Sequence, residues 1–311
     1  ALSSIFLVII LALVWLQGMM LRGRSYATVT GRGHSARIIR LGTWRWAALI
    51  ACLAFLAVMI LLPLSLLVLG TFMKVFGFFN IRDAWTLANW TDAFHDSTFT
   101  HGLRNTLTLA IGAAVGGAFL YGLVSYCVIR TQLAGRKLLE FLAWLPWAVP
   151  GVLISLALLW TFLGSGPLIA VLYGSILLLI LCIVIKELPL GTQMLKAGIM
   201  QIGAELEEAA RSSGAGRLSA FRRVMLPMIV PTMTAVGLIV FISAVRDIAT
   251  VVFLASFDSR PLSLLMLDYL ATGKYGPSSV IGVFLVLLIV IAAVASRLLG
   301  LRLAPRWQQP G

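Results

Sequence analysis

Seven apolar runs, separated by polar segments rich in arginine, divide the chain: roughly residues 2–21, 46–72, 103–129, 138–163, 168–188, 228–256 and 279–301. A helix needs about 20 predominantly apolar residues to cross the hydrocarbon core of a bilayer. Each run meets or approaches that length, so the pattern predicts an all-helical polytopic membrane protein. The first run does not read as a secretory signal, because no basic segment precedes it and no small-residue cleavage site follows.

Composition narrows this further. Of 311 residues, 60% are hydrophobic and 11% charged, against about 45–50% and about 25% in soluble domains. A water-soluble globular protein and a disordered tail are both excluded. The net charge of +13 has the size expected of a polyanion binder, but the cations lie between apolar runs, so no nucleic-acid role is read from it. They are also unevenly placed. Segments 22–45, 130–137, 186–227 and 297–311 hold 18 lysines and arginines, whereas 73–104, 164–167 and 257–278 hold 5. By the positive-inside bias the first set is cytoplasmic, the amino terminus outside and the carboxyl terminus inside. Cys52, Cys127 and Cys182 stand alone within apolar runs and read as small packing residues, not as a disulfide framework.

The expected organisation is an extra span at 1–21, a basic linker at 22–45, a transmembrane domain at 46–303 and a cytoplasmic tail at 304–311. The linker carries six arginines, no acid, and Gly23, Gly31 and Gly33, the composition of a flexible connection. The first span then reads as the last helix of a preceding unit, with the module proper starting near Arg45. A genuine seven-span protein is the alternative.

The most informative stretch is 191–227, the longest cytoplasmic segment and one dense in both charge signs. Glu205, Glu207 and Glu208 open a helical run, where acids favour the positive end of the helix dipole, and Ala209 and Ala210 continue it. Gly214 and Gly216 then permit a turn that larger side chains would block. A second short helix is expected at 217–225, with Leu218, Phe221 and Met225 on one face and Pro227 ending it. A helix, a glycine turn and a helix with small residues at the bend suit close docking against a cytoplasmic partner. An ordinary amphipathic interfacial helix is the plainer alternative.

Glu208-Ala209-Ala210, three residues, Gly214, nine residues, then Val224-Met225-Leu226-Pro227 resembles the EAA loop of ATP-binding-cassette (ABC) importer permeases. The resemblance extends over about residues 46–301. Asn89-Trp90 and Asn105-Thr106-Leu107 resemble the start of that family's core. Leu145-Pro146 and Val149-Pro150-Gly151 resemble its ferric-iron branch, whose members often fuse two permease halves. The resemblance implies a type I importer permease core of about six spans, with one extra at the amino end, in a bacterial inner membrane. It further implies that Glu207, Glu208, Ala209, Ala210, Gly214, Leu226 and Pro227 couple the chain to a cytoplasmic ABC ATPase dimer. The other implied partners are a second permease half and a periplasmic solute-binding protein. No GxxxxGK[ST] phosphate loop occurs in the chain, so no cofactor is expected here, and ATP and Mg are expected on the partner ATPase. The expected role is that of a transport subunit, not an enzyme, with ferric iron as the favoured cargo. Thiamine, polyamine, sulfate and phosphonate importers share the fold and the loop.

Weaker signals remain. Arg246-Asp247 falls inside the sixth run, where charge is expensive and usually faces protein or water; both are candidates for the translocation path. Adjacent helical residues do not face each other, so each needs another partner. His95, Asp96 and His101 lie close together in an outer loop, but their spacing is not that of a metal site, and none is assigned. Gly112 and Gly116 form a GxxxG suited to close helix packing. A secondary transporter is the main alternative and would want intramembrane carboxylates or helices broken at the midplane. An intramembrane enzyme is a third reading, but His34, His95 and His101 all lie in loops.

Overall fold

The computed structural model describes residues 42–164, 172–214 and 216–303. It divides into two units, one ending at Gly70 and one beginning at Thr71. The expected first span at 2–21, most of the basic linker and the tail at 304–311 lie outside the described residues.

The first unit holds all but the last residue of α1 (Trp44–Thr71), a 28-residue helix. Its large side chains from Trp44 to Leu62 are exposed, an apolar surface suited to a bilayer. Between Ala57 and Leu61 it widens into a π turn. Pro63 follows, and the wide turn accommodates the missing N–H of the proline.

The second unit contains α2 (Ala88–His95), α3 (Ser97–Arg130), α4 (Arg136–Trp144), α5 (Gly151–Gly164) and α6 (Ile176–Gln201). It continues with α7 (Ala204–Ser212), α8 (Arg217–Ala220), α9 (Phe221–Arg246), α10 (Leu262–Ala271) and α11 (Tyr275–Leu303). Side-chain caps start the two central helices. The Asp96 carboxylate accepts the Thr98 N–H at 2.7 Å before α3, and the Ser175 hydroxyl accepts the Leu178 N–H at 3.3 Å before α6.

α3, α6 and α9 form the centre. Leu109, Ala110 and Ala113 of α3 are buried with Leu178, Leu179 and Ile183 of α6 and Val236 and Val240 of α9. Small residues let the backbones approach. Gly112 lies against Ile180, which leaves no room for a Cβ, while Gly116 faces open space. Tyr121 covers Gly191, where any Cβ would enter the ring. The same Tyr121 hydroxyl donates to the Val184 carbonyl at 2.7 Å. One turn along, Ser125 Oγ donates to the Thr192 carbonyl at 3.0 Å. These bonds lie on either side of Pro189, the proline inside α6.

The described residues contain five helices long and apolar enough to span, or six if one bent pair counts as a span. That pair occupies the expected span at 138–163 as a broken helix. α4 runs through a short 3₁₀ turn, Leu145–Ala148, and meets α5 at 109°. Pro150 forces its predecessor Val149 into extended backbone, φ −114° and ψ 121°. One correction concerns 228–256. α9 ends at Arg246, because the Asp247 carboxylate takes the Thr250 N–H at 2.8 Å and offers the backbone a turn in place of another helical bond. A second concerns the end of the run at 188. α6 continues to Gln201, since Leu195 and Ile199 carry its buried face onward, and the connection to α9 is therefore shorter than 191–227.

Candidate functional site

The connection between α6 and α9 is built as a bracket. α6 ends at Gln201, and Ile202 takes extended backbone, φ −85° and ψ 119°. α7 then presents Glu208 and Ala209 to the exterior, with Ala210 half-buried. Gly214 turns the chain with φ +88°, a left-handed conformation that costs glycine no Cβ clash. The return arm departs from expectation. The arm does not stop at Pro227; α8 runs directly into α9, which opens with a π turn, Phe221–Met225, and continues as α-helix. Pro227 occupies the first turn of the α segment, where a missing N–H is tolerated. Met225 is fully buried and Leu226 half-buried, so the return arm is rooted in the core. The bracket thus joins an exposed, small-residue helix to a spanning helix without a flexible hinge on the return side. Its geometry places Glu208, Ala209, Ala210 and Gly214 on the outer limb and Leu226 and Pro227 at the root. Glu207 lies within α7.

A second constellation lies within the bundle. Asp247, 5% exposed, pairs with Lys186 of α6 and accepts from the Thr250 hydroxyl as well as its N–H. Lys186 Nζ also stands 3.5 Å from Glu187 Oε1 and 3.4 Å from Ser243 Oγ, and Ser243 Oγ donates to Glu187 Oε1 at 2.6 Å. One ammonium therefore meets two carboxylates. Burying such groups is costly unless each is paired and hydrogen-bonded, and here each is. Arg246 does not join this network and is exposed.

Lys186 and Glu187 were not among the residues expected here. They end an apolar run and resemble a loop boundary, yet the apolar positions at Leu188, Leu195 and Ile199 show the helical face continuing past them. That continuation was the available signal. It turns the expected Arg246-Asp247 pair of charges into a network of Lys186, Glu187 and Asp247 within the bundle.

At the end of the bundle opposite the bracket, irregular backbone is held by side chains. Asn105 Nδ2 donates to the carbonyls of Asp258 and Arg260 at 2.7 and 3.1 Å. Thr106 Oγ1 accepts the Leu262 N–H at 2.8 Å. Ser256 Oγ donates to the Gly174 carbonyl at 2.8 Å. A polar pocket of about 360 Å³ adjoins them, lined by His101, Asn105, Asp258 and Arg260 among others. His95 Nδ1 lies 2.7 Å from the Thr91 carbonyl. Asp96 accepts from the Tyr269 hydroxyl at 2.9 Å. Burial pushes the Asp96 carboxyl up, but the Thr98 N–H, the Tyr269 phenol and the Lys274 charge outweigh it and hold the group below its usual value. Burial and the same bond push the Tyr269 phenol up to about 12.

Comparison with known proteins agrees with this architecture. Residues 118–305 match the family of binding-protein-dependent transport system inner membrane components. The ferric transport system permease protein FbpB of Actinobacillus pleuropneumoniae is 27% identical over 293 residues, 93% of this chain. The chain spans 42% of that relative's length. The sulfate transport system permease protein CysT of Salmonella typhimurium is 25% identical over 244 residues, 74% of this chain and 82% of CysT. Among solved structures, a chain of a bacterial ABC transporter involved in the import of the acidic polysaccharide alginate superimposes with a TM-score of 0.68. It is 19% identical, and the match covers 84% of this chain and 96% of that one. The fold is that of ABC importer permeases, and the chain belongs to the binding-protein-dependent transport system inner membrane component family.

Proposed function

We propose that the chain is a permease unit of a bacterial ATP-driven importer, that the bracket between α6 and α9 docks on a cytoplasmic ATPase, and that the cargo is ferric iron. The observation that carries this reading is the bracket itself: Glu208 and Ala209 exposed on α7, a left-handed Gly214, and a return arm continuous with a spanning helix. A push on the return arm reaches α9 through helix, from Arg217 onward, which is what conversion of ATPase closure into motion of the spans requires. The bracket then faces the cytoplasm. The opposite end, with the 257–278 segment, faces a periplasmic binding protein. ATP and Mg reside on the ATPase pair, and a second permease half completes the path. The Lys186–Glu187–Asp247 network borders that path and Arg246 lies at its edge. Ferric iron is favoured by the 27% likeness to a ferric permease across almost the whole chain; sulfate is the competing cargo.

The test is uptake of radiolabelled ferric iron and of sulfate by the assembled transporter, comparing wild type with Glu208→Lys and Gly214→Asp. Both variants are expected to insert, to lose the ATPase on co-purification and to fall roughly tenfold or more in uptake. Normal uptake by both variants sinks the docking assignment. Sulfate uptake without iron uptake sinks the cargo assignment and leaves the docking one standing.

A further inference from the structure

Two residues at the end of α3 touch both roots of the bracket. Arg130, the last residue of α3, donates through its guanidinium to the Ile199 carbonyl at 3.1 Å and to the Ile202 carbonyl. These belong to the final turn of α6 and the bend before α7, where a cation also meets the negative end of the helix dipole. Tyr126, one turn earlier on the same face, stacks edge-on against Phe221 at 4.8 Å, at the foot of the return arm. The guanidinium is held at a cost, for its Nε is buried with no hydrogen-bond partner among the described residues. At the far end of the same helix, Asn105 and Thr106 hold the backbone of 258–262. From Asn105 to Arg130 a helix of this pitch spans about 38 Å.

We infer that α3 is a strut between the bracket and the 258–262 segment, with Tyr126 and Arg130 as positioning residues that pass displacement of the bracket to the opposite end of the bundle. This rests on the docking role proposed above and adds a route that the bracket alone does not supply. α6 and α9 carry the bracket covalently, whereas α3 is joined to its roots through contacts such as these. Any movement of the bracket must therefore move α3 or break them. Because α3 also fixes 258–262, the state of the ATPase side becomes legible at the surface that faces the binding protein.

The experiment uses the full transporter in proteoliposomes: this chain, its second half, the ATPase and the binding protein. Two quantities are read, uptake per ATP hydrolysed and ATPase stimulation by the loaded binding protein. Arg130→Met removes both donors at similar length. It is expected to retain the ATPase on co-purification, to lower uptake per ATP by roughly tenfold and to blunt stimulation, with Arg130→Lys recovering part of both. A ratio within about twofold of wild type, or loss of the ATPase itself, overturns the strut. Should Arg130→Met fail to insert, Tyr126→Leu decides: a fall of about threefold in the ratio supports the strut and an unchanged ratio overturns it. Gly214→Asp run in parallel keeps the two ideas apart. If Gly214→Asp transports normally, the docking role fails. If it loses the ATPase while Arg130→Met stays coupled, the strut alone fails.

Discussion

α9 is joined to the rest of the chain in opposite ways at its two ends. On the bracket side, helix runs almost without interruption from α8 into α9, and the outer limb leaves Glu208 and Ala209 exposed. On the other side, α9 stops at Arg246 and the chain continues as irregular backbone that side chains hold at several points. Asp247 takes the Thr250 N–H, Ser263 Oγ donates to the Asp247 carbonyl at 2.7 Å, and Asn105 holds two further carbonyls. Non-helical backbone at membrane depth survives only when its polar groups are satisfied inside the protein. The bracket is tied to α3 at its base, through Arg130, and leaves Glu208 and Ala209 exposed on its outer limb. The 247–261 segment spends its side chains on the backbone. Local stability should therefore be concentrated in the second region and coupling in the first.

The largest expected effect tests the buried side of that contrast. Asp247→Ala leaves the Lys186 ammonium without its main partner and is expected to destabilise by about 3–5 kcal/mol, read by thermal unfolding in detergent. Lys186→Met with Asp247→Leu should recover most of that loss; no recovery places the damage in the Thr250 bonds instead. Next, Asn105→Ala removes two bonds to the 258 and 260 carbonyls and should cost about 1–3 kcal/mol, with faster hydrogen exchange confined to 256–262. Smallest is Glu208→Lys, expected to change unfolding by under about 0.5 kcal/mol because the side chain is exposed, even as uptake collapses. A large stability loss in that variant would show the bracket to be part of the core and erase the contrast.

The spans and the bracket were legible because their signals are local. Twenty apolar residues specify a spanning helix without reference to any other segment, and the EAA spacing is written within one loop. The network was not legible, because Lys186 and Asp247 lie 61 positions apart and only tertiary packing brings them together. Lys186 and Glu187 read as part of the loop because a charged pair closing an apolar run has the form of a boundary. The stop at Arg246 was hidden for a related reason: the apolar run continues through Val251 and Leu254, and a single side-chain bond from Asp247 outweighs that periodicity. In the sequence Arg130 is one cation among several between apolar runs, and only the fold sets it beside the carbonyls of Ile199 and Ile202.

The π turn at Phe221–Met225 sets an angular phase. One residue more than an α-helical turn is wound into the same stretch, so everything before it is rotated by about 100° relative to everything after it. The azimuth at which Glu208 and Ala209 leave the bundle is thereby set independently of the azimuth at which Val236 and Val240 enter the core. A chain one residue shorter here would keep both helices and both roots, and would offer its partner a different side.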